Sequence, residues 1–302
     1  METVESLAAR LDTTEEIGDI VRVMKTLASV SIRQFEKACD ALETYQRTVE
    51  LGLQAVLPRT EQRDMKPIGG ADAKRVLIFV GSDRGLCGNF NEIIGRFADE
   101  TYFSQTESPD MVSRILAVGQ RGALRLAALG HNPDRIVDLP GAVGGLTAVA
   151  RRVLLVLDEW QQADPSLVVD VCYNRRFERN QATPCGQRLL PTPRDEMDAL
   201  VAAPWPSQGL PFFRMPAHDL LPALLREQVY VRIYRAIAES LASEHALRLA
   251  AMQAAERNIG ETLDALATRH RSKRQEAITS ELLDIVAGYE AMPPKERRNS
   301  DN

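Results

Sequence analysis

Apolar residues recur at helical spacing in two long stretches at opposite ends of the chain. In the later stretch Leu225, Val229, Ile233, Ile237 and Leu241 repeat every four residues. Leu249, Met252, Ile259, Leu263 and Leu266 follow at threes, fours and one seven, and Ile278, Leu282 and Ile285 close the run. Between Ala223 and Ala287 there is no proline, and Gly260 is the single glycine. The pattern predicts one helix from about Asp219 to Gly288, roughly 65–70 residues and about 100 Å long. A domain of this size is not that wide. The helix must therefore bury its stripe against a second long helix, a partner protein, or both.

The second helix is predicted over residues 3–57. Val4, Leu7 and Leu11, then Ile17, Val21, Met24 and Ala28, then Phe35, Ala38, Leu42, Tyr45 and Val49 alternate by threes and fours. That is heptad spacing, the mark of a coiled-coil seam. Thr14 and Ser31 weaken it. The two helices solve their burial problem by pairing antiparallel. A register that sets Leu57 against Pro222 brings Gly18 to about Gly260, a shared close approach. Met1 then falls near residue 277, and the later helix continues alone for about 11 residues, about 16 Å.

Between them the period shortens. Val76–Val80, Arg114–Gly119, Ile136–Leu139 and Leu167–Tyr173 read as strands, and Gln187–Pro191 as a fifth at a sheet edge. Helices are predicted at about Asn89–Tyr102, Gln120–Leu129 and Leu146–Gln162. The expected fold class is α/β: an antiparallel coiled coil of long N- and C-terminal helices plus a central open, Rossmann-like α/β domain. Residues 1–57 and 218–290 form the shaft and 74–190 the domain. Segments 58–73 and 191–217 are connections, and 291–302 is expected to be a disordered tail.

Composition narrows the chemistry. Net charge is -5, so no global basic excess argues for nucleic acid. The four cysteines stand far apart with no C-x-x-C, which disfavours disulfides and zinc. No run of about 18 apolar residues spans a membrane, and METVESLAAR lacks the apolar core of a secretory signal. A soluble, cytosolic chain is expected, free to attach to a membrane complex. No Walker, H-E-x-x-H or G-x-S-x-G pattern occurs. The four histidines have no partner at metal-ligand spacing. No catalytic residue, cofactor or metal is expected.

Two glycine-rich turns lie between a strand and a helix, where phosphate meets a nucleotide-binding fold. They are Gly85–Gly88 and Gly141–Gly145. Both lack the lysine and the full glycine fingerprint, and read as tight turns. Cys87 reads as a small buried thiol. Late in the long helix Arg269, Arg271, Lys273 and Arg274 crowd like charge, which an acidic partner surface would relieve. The segment from Gln275 to Gly288 then turns largely apolar. Without a partner helix, such a tip needs a socket from another protein.

Three segments carry a resemblance to a known family. Ser82-Asp-Arg-Gly-Leu-Cys-Gly88, the run from Ala242 to Asn258, and Gln275 with Ile278-Thr-Ser-Glu281-Leu-Leu-Asp284 to Gly288 resemble the gamma subunit of rotary ATP synthases. The opening 38 or so residues look like the alternate, sodium-pumping branch of that family. The resemblance implies a non-catalytic rotor shaft that couples ion flow through a membrane c-ring to ATP chemistry in an alpha/beta ring. It implies the alpha and beta subunits, the epsilon subunit and the c-ring as partners, with no nucleic acid and no direct small-molecule substrate. It implies a peripheral place on the cytoplasmic face of the cell membrane. It also implies partner contacts at Met24, Lys25, Glu244, Arg248, Arg269, Arg271, Lys273, Arg274, Gln275, Thr279, Glu281, Ile285 and Val286. The competing readings are a small α/β enzyme or nucleotide-binding module with coiled-coil arms, and a cytosolic coiled-coil scaffold.

Overall fold

The computed structural model describes residues 3–60, 74–104, 112–177, 181–209 and 211–290. Most of the first connection, 61–73, and the whole tail expected at 291–302 lie outside the described residues.

Two long helices dominate, α1 (Val4–Val56) and a last helix of 74 residues, Ala217–Glu290. At the start of α1 the Thr3 hydroxyl accepts the Ser6 N–H at 3.2 Å, and Ser6 Oγ accepts the Thr3 N–H at 3.0 Å. Those reciprocal bonds satisfy donors that a helix start leaves open. Between the long helices, in order, lie β1 (Arg75–Val80), α2 (Phe90–Ala98), β2 (Val112–Val118), α3 (Gln120–Ala128) and β3 (Arg135–Val137). Then come α4 (Leu146–Ala163), β4 (Val168–Phe177), β5 (Gln181–Leu190) and α5 (Arg194–Ala202), which makes the last helix α6.

The chain divides into two compact units. The first joins Met1–Lys25 with Met252–Asn302. Here α1 and α6 run antiparallel: Lys25 Nζ meets Glu256 Oε2 at 2.6 Å, and Gly18 lies against Ile259. The expected register holds to within a residue or so, but the shared glycine contact does not. A Cβ on Gly18 would stand 3.4 Å from Ile259 Cγ2, whereas one on Gly260 would meet nothing within 4 Å. Ile17, assigned to the seam from its spacing, is 48% exposed, and Gly18 takes the inward position. Glycine leaves room for the branched Ile259 side chain, so the seam shifts by one residue.

The last fully buried side chains of this unit are Leu7 on α1 and Leu266 on α6. Every residue from Arg271 to Tyr289 is exposed. The unaccompanied part of α6 is therefore about 28 Å, longer than the expected 16 Å.

The second unit is Thr26–Ala251. The same antiparallel pairing recurs within it. Phe35 stacks on His245 at 5.6 Å, Glu43 pairs with Arg235, and Gly52 sits against Leu224. Its sheet has the order β3-β2-β1-β4-β5, with β4–β5 antiparallel and the other pairs parallel. In register, Ile78 of β1 stands beside Leu116 of β2 and Val171 of β4. The alternation of β1 feeds two cores. Val76, Ile78 and Val80 pack with α4 (Val149, Val153, Leu157) and with Ile233 and Ile237 of α6. Leu77 and Phe79 pack with Ile94 of α2 and Leu126 of α3. The strand is buried on both faces, as central parallel strands are.

Three details depart from expectation. The helix expected to reach Tyr102 leaves α geometry at Ala98 and ends in a π-helical turn, Asp99–Phe103, which turns Tyr102 into the core. β5 is longer than expected, and Pro184 is accommodated because the strand lies at the edge. The connection 191–217 holds α5, whose Met197 and Leu200 pack near Leu53 and Val56. Asp195 and Glu196 in its first turn favour the helix start.

Candidate functional site

In an open α/β sheet, ligands bind beyond the carboxyl ends of the strands where strand order reverses. Here that point lies between β1 and β4. The chain fills it with its own groups. Asn91 Nδ2 donates to Ser82 Oγ at 2.7 Å, and its Oδ1 accepts the Ser82 N–H at 3.0 Å. Ser82 Oγ donates to the Arg84 carbonyl at 2.9 Å, and Asn174 Nδ2 to the Phe90 carbonyl at 3.1 Å. Asp83 accepts the N–H groups of Gln120 at 2.8 Å and Leu139 at 2.7 Å. The start of α3, a natural anion site, thus already faces a carboxylate of the chain. The Ser82–Gly88 turn is a joint between β1, α2, α3 and α6. Tight packing explains its first glycine: a Cβ on Gly81 would collide with the Cα of Gly122.

Cys87 is buried in this joint. Burial, and then the nearby Glu244, push its thiol above the ordinary range. It is a protonated thiol, unsuited to nucleophilic attack. Among the described residues no group of three or more His, Cys, Asp or Glu could hold a metal ion. The second glycine turn leads through a single 3-10 turn, Val143–Gly145, into α4.

The thirteen residues expected to touch partners fall into three places. Arg269, Arg271, Lys273, Arg274, Gln275, Thr279, Glu281, Ile285 and Val286 all lie exposed on the far part of α6. Lys273 pairs with Glu276 at 2.5 Å, and Thr279 Oγ1 donates to the Gln275 carbonyl at 2.8 Å. With Ile278, Leu282, Leu283 and Tyr289, the tip shows an exposed apolar surface beside a basic turn. An exposed apolar stretch of this kind marks an interaction site. Met24 and Lys25 are half-buried in the same unit, and Lys25 is committed to Glu256.

Glu244 and Arg248 are buried in the second unit and bonded to each other at 2.5 Å, with side chains 5% and 7% exposed. Burial raises the Glu244 carboxyl above its ordinary range, against the pull of Arg248. His245 lies between them in sequence, and its Nδ1 is 3.2 Å from Arg248 Nη1. Burial first, then the Arg248 charge, lower the imidazole to about 4. His245 is therefore neutral at pH 7 and accepts from Arg248.

One surface escaped the periodicity argument. In the first unit Ile17, Ile20 and Val23 are exposed, and in the second Leu27 and Val30 are. A helix apolar on its outer as well as its inner side is one that something else covers. The signal was present as a second apolar series interleaved with the heptads, and the heptad assignment absorbed Ile17 from it.

Comparison with known proteins follows from this geometry. The profile of the family described as ATP synthase matches residues 3–292. The ATP synthase gamma chain of Granulibacter bethesdensis is 30% identical over 308 residues, covering 97% of this chain and 100% of the relative. That of Gluconobacter oxydans is 28% identical over 305 residues, with 97% and 100% covered. Among solved structures, a chain of the Euglena gracilis mitochondrial ATP synthase (OSCP/F1/c-ring) superposes with a TM-score of 0.62 at 18% identity, covering 99% of this chain and 97% of that one. A chain of the Tetrahymena thermophila mitochondrial ATP synthase central stalk and c-ring gives 0.53 at 19% identity, with 78% and 99% covered. At such identities the likeness speaks to fold.

Proposed function

We propose, because this chain belongs to the ATP synthase gamma chain family, that it is the non-catalytic central shaft of a rotary ATP synthase. The observation that carries the reading is the family match over residues 3–292, which spans both long helices and the domain between them. The paired helices enter a ring of alpha and beta subunits, and the α/β domain binds the epsilon subunit and the membrane c-ring. Ion flow turns the c-ring and the shaft together. The asymmetric shaft then imposes different conformations on the catalytic sites of beta, which carry out the ATP chemistry. Residues 1–57 and 218–290 act as the shaft, and 74–190 as the domain at its base.

The exposed tip of α6 turns in an apolar bearing of the ring. Apolar contacts such as those of Ile285 and Val286 slide past one another because they have no preferred direction, whereas fixed hydrogen bonds would hold the tip in one orientation. Arg269, Arg271, Lys273 and Arg274 meet acidic surface on the ring, supported by their exposure on one stretch of helix. Met24, Lys25, Glu244, Arg248, Gln275, Thr279 and Glu281 complete the coupling residues. Among the described residues no helix is long and apolar enough to cross a membrane. The subunit attaches peripherally, on the cytoplasmic face of the cell membrane, through the c-ring.

Co-purification tests the reading. A tagged copy brings down alpha and beta subunits, and the complex hydrolyses ATP while the isolated chain does not. A chain that purifies alone, or that turns over ATP by itself, overturns the proposal.

A further inference from the structure

The loop between β1 and α2 holds a residue in an unfavourable backbone conformation with no folding reason for it. Leu86 has a φ of 61° and is 64% exposed. Glycine or asparagine takes the left-handed conformation readily; a branched apolar residue does so only when its surroundings force it. An exposed leucine also contributes little to the core. The loop nevertheless holds it firmly on its N-terminal side. The Arg84 carbonyl accepts from Ser82 Oγ at 2.9 Å, and the Gly85 carbonyl accepts from Arg248 Nη2 at 3.3 Å.

Arg248 reaches that carbonyl from α6 while bonded to Glu244. The pair is buried, and Glu244 Oε2 has no hydrogen-bond partner. A buried ion pair with an open valence is a poor source of stability. What it does supply is a defined geometry between the helix and the loop.

We infer that Arg248 is a positioning residue that locks the 82–88 loop to α6, so that Leu86, beside the exposed Arg84, is presented to the catalytic ring as a rigid contact. The inference rests on the rotor reading. It assigns Glu244 and Arg248 an action through the loop, whereas the family resemblance implied direct contact with the ring. The matching surface on the ring is an apolar socket edged with carboxylates. A stiff tie matters because a loop that yields absorbs the twist that a shaft must deliver.

The test uses the assembled complex of this chain with its alpha and beta subunits. Leu86→Ala, Arg248→Ala and the double variant are compared for ATP turnover, and the free chains for thermal unfolding. Leu86→Ala lowers turnover about tenfold, the loss of one well-formed contact, and leaves unfolding unchanged. Arg248→Ala lowers turnover to the same level, and the double variant falls no further, because both act through one contact. Should Arg248→Ala fail to fold, Leu86→Gly serves in its place: it keeps the arginine and removes only what the loop presents. Turnover of Leu86→Ala and Leu86→Gly complexes at the unmodified level overturns the inference, as does a double variant whose loss is the product of the single losses. Failure of the unmodified chain to assemble with alpha and beta overturns the rotor reading instead.

Discussion

Gly18 and Gly260 are chemically identical positions on antiparallel helices with different surroundings, and substitution separates them. At Gly260 a new Cβ meets nothing within 4 Å. Alanine there gains helix propensity alone, about 1 kcal/mol. At Gly18 the new methyl would lie 3.4 Å from Ile259 Cγ2. That is van der Waals contact at its near edge, so alanine keeps about 0.5–1 kcal/mol of the same gain. Phenylalanine divides the two sites. At Gly260 it projects into open space and gains about 0.5 kcal/mol of propensity. At Gly18 a ring must enter a seam already in contact, and overpacking costs about 1–3 kcal/mol. The two phenylalanine variants should differ by about 2–3 kcal/mol. Hydrogen exchange of the α1 amides over residues 3–25 reports opening of this unit directly, and urea unfolding followed by circular dichroism reports the whole chain. Equal stability of the two phenylalanine variants would refute the close approach of Gly18 to Ile259, and so would destabilisation by Gly260→Ala.

Other perturbations follow from the same coordinates. Asp170 is buried and binds Arg188 Nε at 2.6 Å and Arg75 Nε at 3.3 Å; Asp170→Asn leaves both cations short of a partner and should cost about 2–4 kcal/mol in urea unfolding. His245 has its folded pKa depressed from 6.5 to about 4, so its contribution to stability is whole above pH 6.5 and is lost as pH falls toward 4. Glu244, with its pKa raised, shifts the balance the opposite way on acidification, so the His245 part is read as the difference from His245→Gln. That variant should lose less stability between pH 7 and pH 5; an identical profile would remove the buried neutral imidazole. Truncation after His270 removes described side chains that are all exposed, so the melting temperature should stay put while ATP turnover of the complex falls; a lower melting temperature would show that the tip packs on its own chain. Lys25→Ala breaks a half-exposed pair with Glu256 and should cost under about 1 kcal/mol, measured by the same exchange experiment.

Period alone determined the architecture. Apolar residues at threes and fours over so many turns leave few options besides long helices, and two of them at opposite chain ends can bury their stripes on each other. That is why the antiparallel register was legible before any coordinates, and why the free tip of α6 was expected. The strands of the central domain were legible because β1 and β4 are continuous apolar runs, the mark of strands buried on both faces. The family signature at Ser82–Gly88 and Gln275–Gly288 was legible because it is local in sequence.

Tertiary structure decided what depends on distance and burial. A heptad pattern does not say which of two adjacent residues faces inward, and the bulk of Ile259 put Gly18 there while turning Ile17 outward. Charged side chains at Glu244 and Arg248 read as surface from their type, yet they are buried and bound to each other because α6 packs across the loop that follows β1. The glycine turn read as either phosphate site or joint, and the hydrogen bonds from Asn91, Asp83 and Arg248 made it a joint. Residue type and spacing are local quantities and the sequence states them. Which groups meet is set by packing between segments more than a hundred residues apart, and only the folded chain shows it.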